Sequence, residues 1–445
     1  MGEVCDRALA AFEDCFGPEF EHGKTFDLQR LKSALHALGD PQAKIPAPVI
    51  HVAGTNGKGS TIAFMRAIAE AAGLRVHAFT KPHLFALRER FVVAGEIVGD
   101  EALVGAARRV AAVSTQITHF DAQIAAALLL FSETPADLVL LETGMGGRDD
   151  STNVISSPAA SVIAPVGLDH QDVLGDTLTK IAAHKAGILK QHTPAFIARQ
   201  ARDAMAAIEA EAAHVGALLF RCGVEWDSFP SNGRMVVQTE TRTLDLPLPG
   251  LAGTHQVENA GLACVTFLGT TRYTVSDEAF AAGISSARWP GRLQLLTRGP
   301  FSAATRALGG EVWVDGGHNS HAAEALARAL RDLSRRRQAP TIAIVGMRAR
   351  KDSRAFVAAL APAINHIIAV PLADDHAAPE EIATHARSLG VSAEAATTLG
   401  VALANAERFA APRILICGSL TLAAAALSNE DSANSVQAET PPIPG

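Results

Sequence analysis

Short apolar runs alternate with longer segments whose apolar positions recur every three or four residues, in two separate stretches of the chain. The first stretch places strands at residues 49–52, 137–141 and 161–164, with helical patterns at 60–72 and 123–131 between them. The second places strands at 312–314, 341–345, 366–370 and 413–417, separated by helical patterns that include 321–333 and 353–363. Strand and helix in repeated alternation predict α/β units with largely parallel sheets. Between the stretches, Ala287-Arg288-Trp289-Pro290-Gly291-Arg292 carries a Pro-Gly pair that reads as a turn and a hinge. From about Ser428 the sequence turns polar and ends Pro441-Pro442-Ile443-Pro444-Gly445, a composition that predicts a disordered tail. The expected boundaries are therefore 1–288, a hinge at 289–292, a smaller domain at 293–427 and a tail at 428–445.

Composition narrows the function classes. At 445 residues, with 48% hydrophobic and 19% charged positions, the chain can bury more than one core. A net charge of −7 and 5% aromatics argue against a nucleic-acid partner, which needs a phosphate-neutralising face. A local basic pocket for an anionic small molecule remains compatible with that charge. The five cysteines, Cys5, Cys15, Cys222, Cys264 and Cys417, are scattered without CxxC spacing, so neither a zinc site nor a disulfide framework is expected. The amino terminus, MGEVCDRALAAFEDCFG, lacks a basic-then-apolar signal pattern, and no apolar run approaches the ~18 residues that span a bilayer. A reduced, soluble, cytoplasmic protein with no membrane partner is the expectation.

The strongest chemical feature is Val49-Ile50-His51-Val52-Ala53-Gly54-Thr55-Asn56-Gly57-Lys58-Gly59-Ser60-Thr61. An apolar strand enters a glycine-rich turn, followed by a lysine, a hydroxyl residue and an Ala-rich helix. Glycines let backbone N–H groups converge on phosphate oxygens, and the helix N-terminus adds a favourable field. Lys58 would reach the β- and γ-phosphates and Ser60 would ligate Mg²⁺. The spacing departs from the general GxxxxGK[ST] loop, since Gly54 lies three before Gly57 and Gly59 separates Lys58 from Ser60. A glycine-rich turn with no ligand is the plain alternative. Kinases, GTPases and ligases all use such a loop, so it does not name a reaction.

The variant Gly54-Thr55-Asn56-Gly57-Lys58-Gly59-Ser60 resembles the Mur ligase superfamily, specifically its folylpolyglutamate synthase/dihydrofolate synthase branch. The resemblance runs in order from about Leu28 to about Ser419. It implies a P-loop NTPase-type parallel-sheet ATP-binding domain followed by a smaller Rossmann-like α/β domain. It implies roles for Gly54 through Thr61 at ATP. Leu140-Leu141-Glu142-Thr143-Gly144 ends an apolar strand, and an acidic residue there beside a P-loop reads as a metal carboxylate. The resemblance gives Glu142 to Mg²⁺, and His170, in Gly167-Leu168-Asp169-His170, to a second Mg²⁺. Lys185, in His184-Lys185-Ala186-Gly187, corresponds to a lysine that is commonly carbamylated, an anion able to bind metal. Asp150-Ser151-Thr152-Asn153-Val154 resembles a loop near the pterin pocket. Leu248-Pro249-Gly250-Leu251-Ala252-Gly253-Thr254-His255-Gln256 leads to Asn259, a nucleotide candidate, with Gln256 a weaker one. Arg292 of Trp289-Pro290-Gly291-Arg292 is assigned to ATP phosphates. Asp315 and His318, in Asp315-Gly316-Gly317-His318-Asn319, are assigned to the nucleotide, while Lys351-Asp352 and Cys417-Gly418-Ser419 are weaker matches.

Several positions depart from the family pattern. Thr80-Lys81-Pro82-His83-Leu84 stands where relatives read SPHL, so Lys81 replaces a small hydroxyl residue near the metal and phosphate region. Its cation could meet phosphate or the substrate's glutamyl carboxylates, or point to solvent. Thr118-His119-Phe120-Asp121 replaces T-Y-F-E, Asp149 replaces an apolar residue, and His184 replaces a glutamate. Lys81, His83, Phe120 and Asp150 are the candidate substrate residues.

The implied reaction has two steps. Lys58, Ser60, two Mg²⁺ ions and Arg292 position ATP for attack by a substrate carboxylate, giving an acyl phosphate and ADP, with His170 and Lys185 as further catalytic candidates. The amine of L-glutamate then displaces phosphate. The implied partners are a pterin or folate acid, L-glutamate and ATP, acting on a monomer, with a monovalent cation as a further cofactor. One alternative is a Mur-type ligase joining an amino acid to a cell-wall precursor or another acid. Another, of a different class, is a P-loop nucleotide-binding protein without ligase activity. No guanine-reading NKxD segment supports the second.

Overall fold

In the computed structural model, residues 6–18, 28–270, 274–373 and 375–431 are described. Residues 1–5 of the amino-terminal pattern, Cys5 among them, and the tail from 432 onward lie outside the described residues. The chain divides into two units. One comprises Met1–Gly250 with Gln256–Arg288, and the other comprises Leu251–His255 with Trp289–Gly445.

The first unit is built on eight strands: β1 Val49–Ala53, β2 Val76–Phe79, β3 Phe91–Val93, β4 Glu96–Ile97, β5 Leu138–Glu142, β6 Ala160–Ile163, β7 Pro194–Ile197 and β8 Leu218–Arg221. Their order is β4-β3-β2-β5-β1-β6-β7-β8. Pairing is parallel from β2 through β8, while β3 pairs antiparallel with both β2 and β4. The centre of the sheet explains the sequence pattern. All five residues of β1 and of β5 are buried, as strands covered on both faces must be, so they read as continuous apolar runs instead of alternating. Helices His119–Glu133 and Arg7–Phe16 contribute Phe12, Ile124, Leu128 and Phe131 to the core packed against Val139 and Leu141. A separate antiparallel sheet, β9 Trp226–Ser231, β10 Arg234–Thr239 and β11 Thr243–Pro247, was not among the expected elements.

The second unit holds six strands: β12 Gln294–Leu296, β13 Glu311–Val314, β14 Thr341–Val345, β15 His366–Ala369, β16 Ser392–Ala395 and β17 Arg413–Cys417. Their order is β12-β13-β17-β14-β15-β16, parallel except for the β12 edge. Both units are therefore α/β, as the alternation predicted.

Two boundaries need correction. Residues 251–255, expected in the first domain, belong to the second unit, where Ala252 packs against the core of Trp313, Leu326 and Leu415. The expected tail also starts too early, because helix Leu420–Asp431 continues through Ser428. Glu430 is buried, and its carboxylate accepts from Gly299 N at 2.7 Å, Ser302 N at 2.9 Å and Ser302 Oγ at 2.8 Å. A polar residue satisfied in this way belongs to the fold despite its composition.

Candidate active site

The glycine-rich turn leaves β1 at Gly54 and enters helix Lys58–Ala71 at Gly57. Gly57 takes φ 85°, and a Cβ on it would come within 2.6 Å of Asn259 Oδ1, so both conformation and space require glycine. The helix has no side-chain cap. First-turn amides lack intrahelical acceptors by geometry, so this terminus is a natural anion site. Thr55 N and Asn56 N are committed elsewhere, both donating to Pro165 O, at 2.9 and 3.2 Å. Thr55 Oγ1 also bonds Gly167 O and accepts from Gly167 N, at 3.0 Å each. These bonds lock the turn to the loop after β6. Thr61, expected at the nucleotide, is wholly buried, with its amide on Gly57 O.

Lys58 folds back over the turn, its Nζ donating to Gly54 O at 3.1 Å and Thr55 O at 3.3 Å. It also lies 3.7 Å from Glu142 Oε1. Glu142 ends β5, is 2% exposed, and accepts from Lys81 N at 3.1 Å through its other oxygen. Lys185, near the end of helix Leu178–Ala186, is buried and donates from Nζ to Gly54 O at 2.8 Å. Burial, then the nearby Lys58 ammonium, brings its amine down to about 7, with Asp169 and Asp150 opposing. Lys185 is thus no surface lysine. The turn after Glu142 and this helix end fit closely: a Cβ on Gly147 would meet Lys185 O at 2.7 Å.

On the far side of Glu142 stand the candidate substrate residues. Lys81 Nζ lies 4.4 Å from the Phe120 ring centroid. Asp150 is buried and accepts from Met145 N at 2.7 Å and Thr152 N at 3.0 Å, with burial raising its carboxyl. His83 Nδ1 accepts from Nε of the buried Arg90 at 3.0 Å, which places the imidazole proton on Nε2. Asp121, the shortened carboxylate, caps its own helix through Thr118 N at 3.0 Å and holds Ser151 Oγ at 2.6 Å. Gln256 Nε2 reaches Ser60 Oγ at 3.5 Å and Gln256 Oε1 accepts from Asn259 Nδ2 at 3.0 Å, so this pair braces the phosphate turn.

His170 stands at the N-terminus of the short helix Gln171–Leu174, and its neighbour Asp169 acts on Lys185. His170 has φ 51°, and its Nε2 lies 4.0 Å from Asp169 Oδ2. In the second unit, Asp315 is buried and organises its own turn, accepting from Leu293 N at 2.8 Å and Gly317 N at 2.6 Å. His318 Nδ1 bonds Gly316 O at 3.0 Å. Arg292 lies close enough to Asp315 to oppose the rise that burial imposes on its carboxyl.

The donor set fits Mg²⁺ better than a softer metal. Among the described residues no three His, Cys, Asp or Glu side chains gather into a cage. Mg²⁺ seldom uses one, taking one or two carboxylates and completing its shell with phosphate oxygens and water. Glu142 and Ser60, both buried at the turn, supply the hard oxygens such a shell needs.

Comparison with known proteins follows the same geometry. The Mur ligase middle domain matches residues 52–267, and the Mur ligase glutamate ligase domain matches 292–420. A dihydrofolate synthase/folylpolyglutamate synthase from Bacillus subtilis is 37% identical over 321 residues, covering 68% of this chain and 72% of the relative. The chain belongs to the folylpolyglutamate synthase/dihydrofolate synthase family of Mur ligases. Escherichia coli FolC in complex with DHPP and ADP superposes with a TM-score of 0.83 at 29% identity, covering 96% of this chain and 97% of that one. A bifunctional folylpolyglutamate synthase/dihydrofolate synthase with Mn, AMPPNP and L-glutamate bound gives 0.80 at 30% identity, covering 92% and 95%. As a folylpolyglutamate synthase/dihydrofolate synthase family member the protein is an ATP-dependent acid–amino-acid ligase, and ATP with a divalent metal are its cofactors.

Within this family site, three contributors escaped sequence reasoning. His51 is buried inside β1 and reaches Thr152 Oγ1 at 2.8 Å. Gln200 clamps the loop after β6, accepting from Val166 N at 2.9 Å and donating to Ala164 O at 3.2 Å. Asp169, beside the expected His170, acts with Asp150 to support the Lys185 charge. The Asp169-His170 string was itself a sufficient signal for the last. The other two carry no local signal.

Proposed function

We propose that the protein joins L-glutamate in amide linkage to dihydropteroate, to reduced folylpolyglutamates, or to both, through an acyl phosphate. The observation that carries this reading is the convergence of Lys58, Glu142 and Lys185 on one glycine-rich turn, with Lys81, Phe120 and Asp150 beyond Glu142. Lys58 leaves Gly54 O and Thr55 O to meet the β- and γ-phosphates, and first-turn amides cradle the same anion. A carboxylate oxygen of the acid attacks the γ-phosphorus and ADP leaves. The glutamate amine then attacks the acyl carbon, loses a proton and expels phosphate.

Two Mg²⁺ ions, held by Ser60 and Glu142 and by His170, would supply neutralising charge to the phosphoryl oxygens. A neutral Lys185 amine adds CO₂ and releases a proton, turning a buried base into a carbamate anion beside the glycine-rich turn at Gly54. Arg292, Asp315, His318 and Asn259 belong to the nucleotide in this reading. The enzyme acts as a cytoplasmic monomer on small molecules, and a monovalent cation assists it. Among the described residues no helix is long and apolar enough to cross a membrane.

ADP release by the purified chain with Mg²⁺-ATP and L-glutamate, supplying dihydropteroate or tetrahydrofolate separately, tests the proposal. Turnover should require both glutamate and a pterin acid, and the preferred acid defines the substrate. ATP use indifferent to either would refute it.

A further inference from the structure

We propose that the Lys81 ammonium binds the reacting carboxylate of the acid substrate, a role that rests on the ligase reading above. Lys81 follows β2 at the carboxyl end of the parallel sheet, where ligands of α/β proteins collect. Its backbone amide is fixed on Glu142 Oε2 at 3.1 Å, while Glu142 Oε1 faces Lys58 at 3.7 Å. Two lysines therefore flank one buried carboxylate, Lys58 on the phosphate-turn side and Lys81 on the other.

The Lys81 side chain is also held. Its Nζ rests 4.4 Å from the Phe120 centroid, a cation–π position. The ring packs against Gly144, filling the space where a Cβ there would stand. The buried Asp150 carboxylate lies within electrostatic reach and is itself fixed by Met145 N and Thr152 N. An ammonium offers three donors and no lone pair, so it cannot ligate Mg²⁺ and can serve only an anion or acceptor. Lys81 is half-buried, so part of its side chain reaches the surface. Two residues on, His83 is oriented by the buried Arg90, with its proton on Nε2.

The chemistry needs such a cation. Attack of a carboxylate on a γ-phosphoryl group brings two anions together, and Lys81 offsets that repulsion from the acid side. The carboxylate oxygen that does not attack becomes the carbonyl oxygen of the acyl phosphate. It gains charge again when the glutamate amine adds, so a cation fixed on that oxygen serves both steps.

The test compares the full-length enzyme with Lys81→Met, Lys81→Arg and Lys81→Ser. Steady-state constants for each substrate are measured, with equilibrium binding of dihydropteroate without nucleotide, binding of ADP, and thermal midpoints. Lys81→Met should weaken dihydropteroate binding and lower kcat/KM for the acid about 10- to 100-fold, as expected for one charged hydrogen bond. ADP affinity and thermal midpoint should hold, and Lys81→Arg should recover part of the loss. The loss should be equal for dihydropteroate and for glutamylated acids, because all share one reacting carboxylate. A loss confined to glutamylated acids would overturn the assignment, as would unchanged dihydropteroate binding in Lys81→Met. Wild-type enzyme that turns over no pterin acid would instead remove the ligase reading itself.

Discussion

Replacing His51 with glutamine should flatten the acid sensitivity of the first unit, and the size of the effect follows from the hydrogen bonds around the ring. Thr152 Oγ1 donates to Asp150 Oδ1 at 2.5 Å, so the contact between His51 Nε2 and Thr152 Oγ1 at 2.8 Å must have the imidazole as donor. That leaves Nδ1 as a bare lone pair, buried and without a hydrogen-bond partner. Protonation would place a cation with an unsatisfied N–H inside β1. Burial, helped by Lys190, accordingly drives His51 from its ordinary 6.5 to about 3.

The sign follows from proton counting. Between pH 6.5 and 3 the unfolded chain carries the proton and the folded chain does not, so stability rises with pH across that window and is lost as pH falls. From pH 7.5 to 4.5 the contribution is two pH units below the unfolded value, about 2.7 kcal/mol at 1.36 kcal/mol per unit. His51→Gln retains an N–H donor and does not titrate. It should lose about 1–2 kcal/mol at pH 7.5 through altered packing, yet its deficit against wild type should shrink or reverse by pH 4.5. Hydrogen exchange of the β1 amides at the global-unfolding limit reads this unit's stability without assuming that the whole chain unfolds in one step. Parallel pH profiles for wild type and His51→Gln would refute the reasoning.

Other expectations are shorter. Gly57→Ala should cost about 1–2 kcal/mol for the left-handed backbone and, by displacing Asn259, abolish ADP binding measured calorimetrically. Lys185→Met should eliminate a ¹³C carbamate resonance from ¹³CO₂-equilibrated enzyme and reduce ligase turnover about 10- to 100-fold or more. In wild type that resonance should strengthen as pH rises through about 7, where the amine becomes neutral. Glu430→Ala should destabilise the second unit by about 2–3 kcal/mol in urea unfolding, because two buried backbone amides lose their acceptor.

The strands that position the site were legible because they are covered on both faces. β1 and β5 read as apolar runs and end at the phosphate turn and at Glu142 respectively. The β9–β10 hairpin was harder. Its Asn232-Gly233 turn, with φ 49° and 76°, is a strong hairpin signal in the sequence. Only Met235 and Val237 of β10 are buried, too short an alternation to announce a sheet without knowledge of that turn. Ser428 to Asp431 misled for the opposite reason. Composition there is polar, but the partners that bury Glu430 lie 128 and 131 residues earlier in the chain. The link between His51 and Thr152 spans 101 residues in the same way. Motif reading finds groups whose spacing is local and misses those that meet only when the sheet assembles.

Three lysines at the site, Lys58, Lys81 and Lys185, show what the fold adds to a motif. Sequence alone distinguishes them only by the strings in which they stand. In the structure Lys58 keeps an accessible edge and a carboxylate at 3.7 Å, the surroundings of a cation that must move onto a phosphate. Lys185 is enclosed with Gly54 O as its acceptor, and its amine is driven to about 7, the surroundings of a base that reacts with CO₂. Lys81 is half-buried on an aromatic face, within electrostatic reach of Asp150, the surroundings proposed here for a cation that meets the acid substrate. On the proposed reading one residue type serves as phosphate clamp, reactive amine and acid receptor within one site. Burial and near neighbours separate these roles, so exchanging lysine for arginine should keep part of the function at position 81, where charge and reach matter most. At position 185 the same exchange should fail, because a guanidinium neither loses its proton nor adds CO₂.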